Sequence, residues 1–247
     1  MPTKESRELY LAERFLPELF KEQQYTLLQP APPLSDIVIN AGNKRVGIEI
    51  TALILDEQAK RRESEQDAIL REAQILFEKK HQLPLHVSIS FNESANWKQL
   101  DRRQIADFLA NTIIDSVSEI RNLPQYQATF TIRLNNVINS YVQSITVFYL
   151  QQITNSCWSP ITSFWVPKLP IEKIQKVINR KNKNISGYLQ GCDEVWLLIL
   201  ETGSPSSYFD RFDTLKEITF ASNFARTLIG RISRGELLTL QTEPQIQ

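Results

Sequence analysis

Two carboxylates, Asp36 and Glu49, sit on segments whose pattern brings them together. Asp36-Ile37-Val38-Ile39 and Val46-Gly47-Ile48-Glu49-Ile50-Thr51 alternate with period two around Gly42-Asn43, which reads as a β-hairpin. If Gly42-Asn43 is the two-residue turn, Ala41 pairs with Lys44, Asn40 with Arg45, Val38 with Gly47 and Asp36 with Glu49. Like charges directly opposed on neighbouring strands repel, so a sequence that keeps them calls for a cation nearby. A hard divalent ion that takes oxygen ligands, Mg²⁺ or Mn²⁺, meets that need. On this reading, removing either acid leaves metal-free stability level or raises it. The alternative is a solvated hairpin whose acids diverge into water.

Other charges fall on apolar helical lines. Leu9, Glu13, Leu16 and Phe20 follow i, i+4, i+7 and i+11, which places the Glu13 carboxylate in the stripe of a first helix. A buried, unpaired carboxylate is costly, so Glu13 is expected to reach a cation or a polar cleft. A stripe-edge glutamate reaching water is the alternative, and Glu8 one turn earlier competes for the role. Ile174, Ile178, Lys181 and Ile185 repeat the spacing with a cation inside the stripe. Lys181 either shares a polar cleft with the acids or snorkels at its helix end and complements the dipole. Around it, Lys168, Lys173, Lys176, Arg180, Lys181 and Lys183 face only Glu172, a local excess suited to a phosphate backbone. Arg62 and Gln66 lie on one line with Ile69 and Ala73, where they either touch a substrate phosphate or form a solvated face. His81 and His86 have no arrangement that demands catalysis, and the seven glycines form no phosphate loop or nucleophile elbow.

The elements that must position these groups follow from periodicity. An amphipathic helix is expected over Ser6–Gln23, bent or split by Pro17. Further helices are expected from about Ala59 to His81, from Asp101 to Arg121 and from Ile171 to Leu189, with a strand at Leu85–Phe91. Ala128–Leu134 and Ser144–Leu150 are expected to pair as a second hairpin. Residues 151–170, rich in tryptophan and proline, read as an irregular connection. Val195–Leu200 suits a strand covered on both faces. Phe212–Ile232 is read as helical and Glu236–Leu240 as a short edge strand.

Bulk properties set outer limits. At 247 residues with 42% hydrophobic side chains, the chain can bury a full core. No run of about 18 apolar residues exists and the N-terminus is charged, so a cytoplasmic, membrane-free protein is expected. Cys157 and Cys192, in no C-x-x-C spacing, are expected to be buried structural thiols rather than a disulfide or zinc site. Lys+Arg and Asp+Glu balance at 28 each, so any nucleic-acid binding must rest on a local basic surface.

A helix carrying a glutamate, then a hairpin with an aspartate on its first strand and Glu-x-Lys on its second, then a helix and a strand, is the core of the PD-(D/E)xK nuclease superfamily. Glu13, Ser35-Asp36 and Glu49-Ile50-Thr51 resemble that order over roughly the first 90 residues. Val46–Thr51 and Cys192–Ile199 are similar to uncharacterised bacterial proteins assigned there. The resemblance implies an α/β fold with a restriction-endonuclease-like core, a mixed β-sheet flanked by helices, an inserted β-hairpin and an extra C-terminal strand. It also implies one domain over residues 1–247, with its core at about 5–92, an insertion and sheet extension at about 100–200 and a C-terminal extension at 203–247. The implied activity is Mg²⁺- or Mn²⁺-dependent hydrolysis of phosphodiester bonds in DNA or RNA, with a homodimer among the expected states. Asp36, Glu49 and the Ile50 main chain would hold metal, Glu13 and Lys181 would complete the catalytic set, and Arg62, Gln66, Lys176 and Lys183 would hold substrate.

Two positions depart from the family pattern: Ser35 replaces a proline, and Thr51 replaces the lysine that neutralises charge at the phosphate. Lysines migrated from the strand to a neighbouring helix occur in this superfamily, and the similar proteins carry one seven residues before a tyrosine matching Tyr188. That implies Lys181 as the replacement. The alternative is a catalytically inactive module that binds nucleic acid or a partner protein.

Overall fold

The computed structural model describes residues 4–20, 24–97, 101–122, 129–133, 141–149, 153–168 and 170–245. In chain order these form α1 (Lys4–Leu19), β1 (Tyr25–Leu28), β2 (Ile37–Ala41), β3 (Lys44–Ala52), α2 (Glu57–Glu78), β4 (His86–Phe91), α3 (Arg102–Asp115), α4 (Val117–Arg121), β5 (Thr129–Arg133), β6 (Val142–Phe148), β7 (Cys157–Ile161), α5 (Ile171–Asn182), α6 (Ile185–Tyr188), β8 (Glu194–Glu201), β9 (Thr219–Ala221), β10 (Arg226–Arg231), β11 (Glu236–Thr239) and β12 (Gln241–Glu243). The chain is mixed α/β and divides into two compact units, residues 1–57 with 165–247, and residues 58–164. These boundaries differ from the division at about 92 and 100 expected from sequence. No helix of the described residues is long and apolar enough to cross a membrane.

The first unit is built on a mixed six-stranded sheet in the order β1-β2-β3-β8-β10-β11. The β2–β3 register is the one the turn dictates, with Ala41 opposite Lys44 and Ile37 opposite Ile48. β8 runs parallel to both β3 and β10, so Glu49 neighbours Leu197 and Leu228 neighbours Leu198. Reciprocal main-chain and side-chain bonds fix the start of that ladder: Arg45 N–H donates to Asp193 Oδ2 (2.7 Å) and Asp193 N–H to the Arg45 carbonyl (2.8 Å).

Period-two alternation sorts β8 between two cores. Trp196, Leu198 and Leu200 pack with Ile48 and Ile50 against Phe15 and Leu16 of α1 and Phe20 just after it. Val195, Leu197 and Ile199 face the other way, against Ile174 and Ile178 of α5 and Tyr188 of α6. Each such buried Ile, Leu or Phe contributes roughly 1.5–3 kcal/mol, which is why β8, buried on both faces, reads as an unbroken apolar run. Gly230 of β10 is required by close approach, since a Cβ there would lie 2.9 Å from the Phe15 ring.

The second unit has its own core. A four-stranded sheet in the order β5-β6-β4-β7 packs with Ile69, Ala73 and Phe77 of α2 and Ile105, Leu109 and Ile113 of α3. β5 and β6 form the expected second hairpin; Ala128, Leu134 and Leu150, like Lys21–Gln23 after α1, lie outside the described residues.

Several sequence expectations need correction. β7 lies where an irregular connection was expected. It is an edge strand whose Cys157 N–H donates to the Leu85 carbonyl, so its alternate residue Pro160 turns its nitrogen away from β4 and no ladder bond is lost. The expected helix over Phe212–Ile232 is a 3-10 turn (Phe212–Glu217) followed by β9 and β10. The helix over Ile171–Leu189 breaks at Lys183 into α5 and α6. Cys157 is exposed and Cys192 only half-buried, so neither is the buried thiol expected.

Candidate active site

The β-hairpin presents its two acids on the sheet face opposite α1. Val46, Ile48 and Ile50 point into the α1 core, so the intervening Gly47, Glu49 and Thr51 point toward the α5 side. The paired ladder ends at Ile37↔Ile48, and Asp36 immediately precedes β2 while Glu49 follows Ile48. Asp36 closes the ladder with its side chain, as the Ile50 N–H donates to Asp36 Oδ2 at 2.8 Å. The Ile50 main-chain N–H is therefore committed to the acid, while its side chain is core.

Glu49 is buried, and Lys181 supplies its cation. The Lys181 ammonium donates to Glu49 Oε1, with the two side chains 19% and 5% exposed. Lys181 follows Ile174, Val177 and Ile178 on the buried stripe of α5, so helical spacing alone carries it onto the sheet. The Tyr188 hydroxyl lies near Glu49, and Asn184 Nδ2 donates to that hydroxyl at 3.5 Å. Burial pushes the Glu49 carboxyl above its ordinary range; Lys181 pulls it back, and the neighbouring Asp36 charge pushes it further up. Burial likewise raises Tyr188.

Thr51, where the family pattern has lysine, accepts a hydrogen bond from Arg180 Nη2 at 3.4 Å. Two cations of α5 thus reach the two β3 residues of the Glu-x-Thr motif. Ser35 holds the same assembly from below. Fully buried, it donates to the Tyr188 carbonyl at 3.2 Å, and Gly47 is opposite because a Cβ there would meet Ser35 Oγ at 2.5 Å. A proline could not make that bond to α6.

Comparison with family models, with curated proteins and with solved structures finds no match for this chain. What the site can do therefore rests on its own geometry.

Among the residues expected from sequence, Asp36, Glu49 and Lys181 come together. Glu13 does not join them: its side chain is exposed, because Phe15 and Leu19 turn the buried face of α1 roughly a quarter-turn away from the Leu9–Leu16–Phe20 line. The Glu8 side chain lies outside the described residues. Lys176 and Lys183 are exposed on α5 and at its end, together with Lys173 and Arg180. Arg62 and Gln66 belong to α2 in the second unit, where Gln66 is buried. Nothing in the residue pattern pointed to Arg180 at Thr51, beyond its place in the basic run. Tyr188 was flagged by resemblance only, since the break after α5 interrupts the helical spacing that would tie it to Lys181.

The described residues hold no group of three or more His, Cys, Asp and Glu able to bind a metal. Asp36 and Glu49 supply a pair of hard oxygen donors, each with one oxygen not engaged by the bonds above. Their mutual repulsion is felt in Glu49, where the Lys181 ammonium counters it. Such a pair would offer a hard divalent ion two ligands and leave the rest of its coordination to water.

Proposed function

We propose that the chain is a metal-dependent phosphodiesterase of the PD-(D/E)xK kind, acting on DNA or RNA, with Lys181 in place of the strand lysine. The observation that carries this reading is the convergence of Lys181 on Glu49 beside Asp36. In this reading the sheet of the first unit corresponds to the restriction-endonuclease-like core. Asp36 and Glu49 would hold Mg²⁺ or Mn²⁺, which when bound supplies water activation and charge neutralisation at phosphorus. The chain's own groups do the rest. The Tyr188 hydroxyl and the Lys181 ammonium orient Glu49, and the ammonium neutralises charge gathering on the phosphate oxygens. Arg180, with Lys173, Lys176 and Lys183, presents a positive helix face to the nucleic-acid backbone.

The test is incubation of purified protein with labelled single- and double-stranded DNA and RNA in Mg²⁺ or Mn²⁺. Cleavage by the wild type and none by Asp36→Asn is expected; no Asp36-dependent cleavage of any substrate sinks the proposal.

A second reading has its own observation. Lys181 already balances Glu49 and Thr51 lacks a charge, which suits a nuclease-fold module that binds nucleic acid or a partner without cutting. Mn²⁺ titration by calorimetry separates the two: metal uptake lost in Asp36→Asn favours the enzyme, and none in the wild type favours the binding module.

A further inference from the structure

We infer that the second unit carries a site of its own for a nucleoside phosphate. A cavity of about 750 Å³ opens between the first turns of α2 and the turn that follows β4. That volume lies in the range typical of small-molecule sites. One wall is the face of α2 bearing Gln58, Arg61, Arg62 and Glu65, at i, i+3, i+4 and i+7; the other holds Glu93 and Trp97.

The charges of this lining are unevenly answered. Glu65 is held by a forked pair with Arg102 of α3, whose Nη2 lies 2.6 Å from Glu65 Oε1. Arg61 and Arg62 make no ion pair or hydrogen bond among the described residues. Two unpaired guanidinium groups thus share a cavity with the single unanswered acid Glu93. An unpaired guanidinium fork is shaped for a phosphate, which it can grip through two parallel N–H donors.

The opposite wall is rigid and flat. The Asn92 side chain accepts the Ser94 N–H at 3.0 Å, and its carbonyl accepts the Ala95 N–H at 3.2 Å. The Trp97 indole makes T-shaped contacts with Phe91 (5.7 Å) and Tyr141 (5.9 Å), and the Tyr141 hydroxyl donates to the Asn96 carbonyl at 3.2 Å. A half-buried indole lining the same cavity as two unpaired arginines is the combination that a planar base with an attached phosphate satisfies. Glu93 then offers an acceptor to a sugar hydroxyl or an exocyclic amine.

The inference does not depend on the phosphodiesterase reading, and its test is done with EDTA present. Full-length protein is titrated calorimetrically with dAMP, deoxyadenosine, inorganic phosphate and oligo(dA). Saturable dAMP binding, tighter than that of phosphate or the free nucleoside, is expected. Arg61→Gln/Arg62→Gln, changing two solvent-facing side chains, should weaken it by about tenfold or more. Trp97→Phe, which preserves the packing, should retain binding, while Trp97→Leu should lose about tenfold for dAMP and nothing for phosphate. Oligo(dA) that displaces dAMP marks a nucleotide within a strand as the ligand, and dAMP that oligo(dA) cannot displace marks a free nucleotide. Asp36→Asn should bind dAMP like the wild type, so loss of cleavage and loss of this site are separable. Binding of dAMP no tighter than phosphate, or unchanged in the double arginine variant, overturns the inference.

Discussion

Replacing Lys181 by methionine keeps the length and apolar stem of the side chain and removes only its charge. Glu49 then loses its cation in a site where its side chain is 5% exposed, with the neighbouring Arg180 of α5 engaged at Thr51. Breaking a fully buried pair costs about 3–5 kcal/mol, and an exposed pair about 0–1. With Lys181 itself 19% exposed, a loss of about 2–3 kcal/mol at pH 7 is expected. The pH dependence has a definite sign. The Glu49 carboxyl lies above 4.5 in the folded protein, so its ionisation opposes folding at neutral pH and ceases to matter below 4.5. Lys181 offsets that cost only while Glu49 is ionised. Without Lys181 the Glu49 carboxyl is pushed further up, so the Lys181→Met penalty should be full above the variant's folded pKa and vanish as pH falls through that of the wild type. Urea unfolding at pH 7 and near pH 4.5 measures this, with Glu49→Gln/Lys181→Met closing a double-mutant cycle and a coupling of about 1 kcal/mol or more expected. Lys183→Met, at an exposed position, should change stability by less than about 0.5 kcal/mol. Equal losses from the two lysine variants, or a Lys181→Met loss unchanged on acidification, would refute the pairing.

Asp36→Ala should lower metal-free stability by about 0.5–1.5 kcal/mol in chemical denaturation, because the Ile50 N–H loses its acceptor; this reverses the gain expected from relieved repulsion alone. Gly47→Ala should cost about 1–3 kcal/mol and displace Ser35 from the Tyr188 carbonyl, visible as reduced amide-exchange protection around α6. Arg231, 3% exposed, bonds Glu201 Oε2 at 2.6 Å and the Phe209 carbonyl at 2.7 Å, so Arg231→Met should cost about 3–5 kcal/mol in a denaturant titration.

The hairpin register and the placement of Asp36 and Glu49 were legible because a Gly-Asn turn leaves one pairing and a one-residue slip would expose Ile37, Ile39 and Ile48. Lys181 was legible for the same kind of reason: its helix has a single apolar stripe. Glu13 was misplaced because Leu9, Leu16 and Phe20 define one edge of the buried face and Phe15 and Leu19 the other, and a single line cannot find the middle. Phe212, Leu215, Phe220 and Phe224 imitate helical spacing, yet they serve a 3-10 turn and the approach to β10, whose conformation is imposed by pairing with β8. That pairing is tertiary, and no local window contains it. The Arg180 contact with Thr51 became visible only once β3 and α5, more than a hundred residues apart in sequence, shared a face.

The parallel pairing of β3 with β8 also sets an order of events at the ribosome. β3 ends at Ala52 and β8 begins at Glu194, so at ordinary elongation rates its partner follows on the order of ten seconds or more later. During that wait Ile48 and Ile50 lack the strand that flanks them, and Glu49 lacks Lys181. The intervening residues 58–164 already contain a complete core, from Ile69 to Trp158. The nascent chain can therefore condense its middle first, and the six-stranded sheet is finished last.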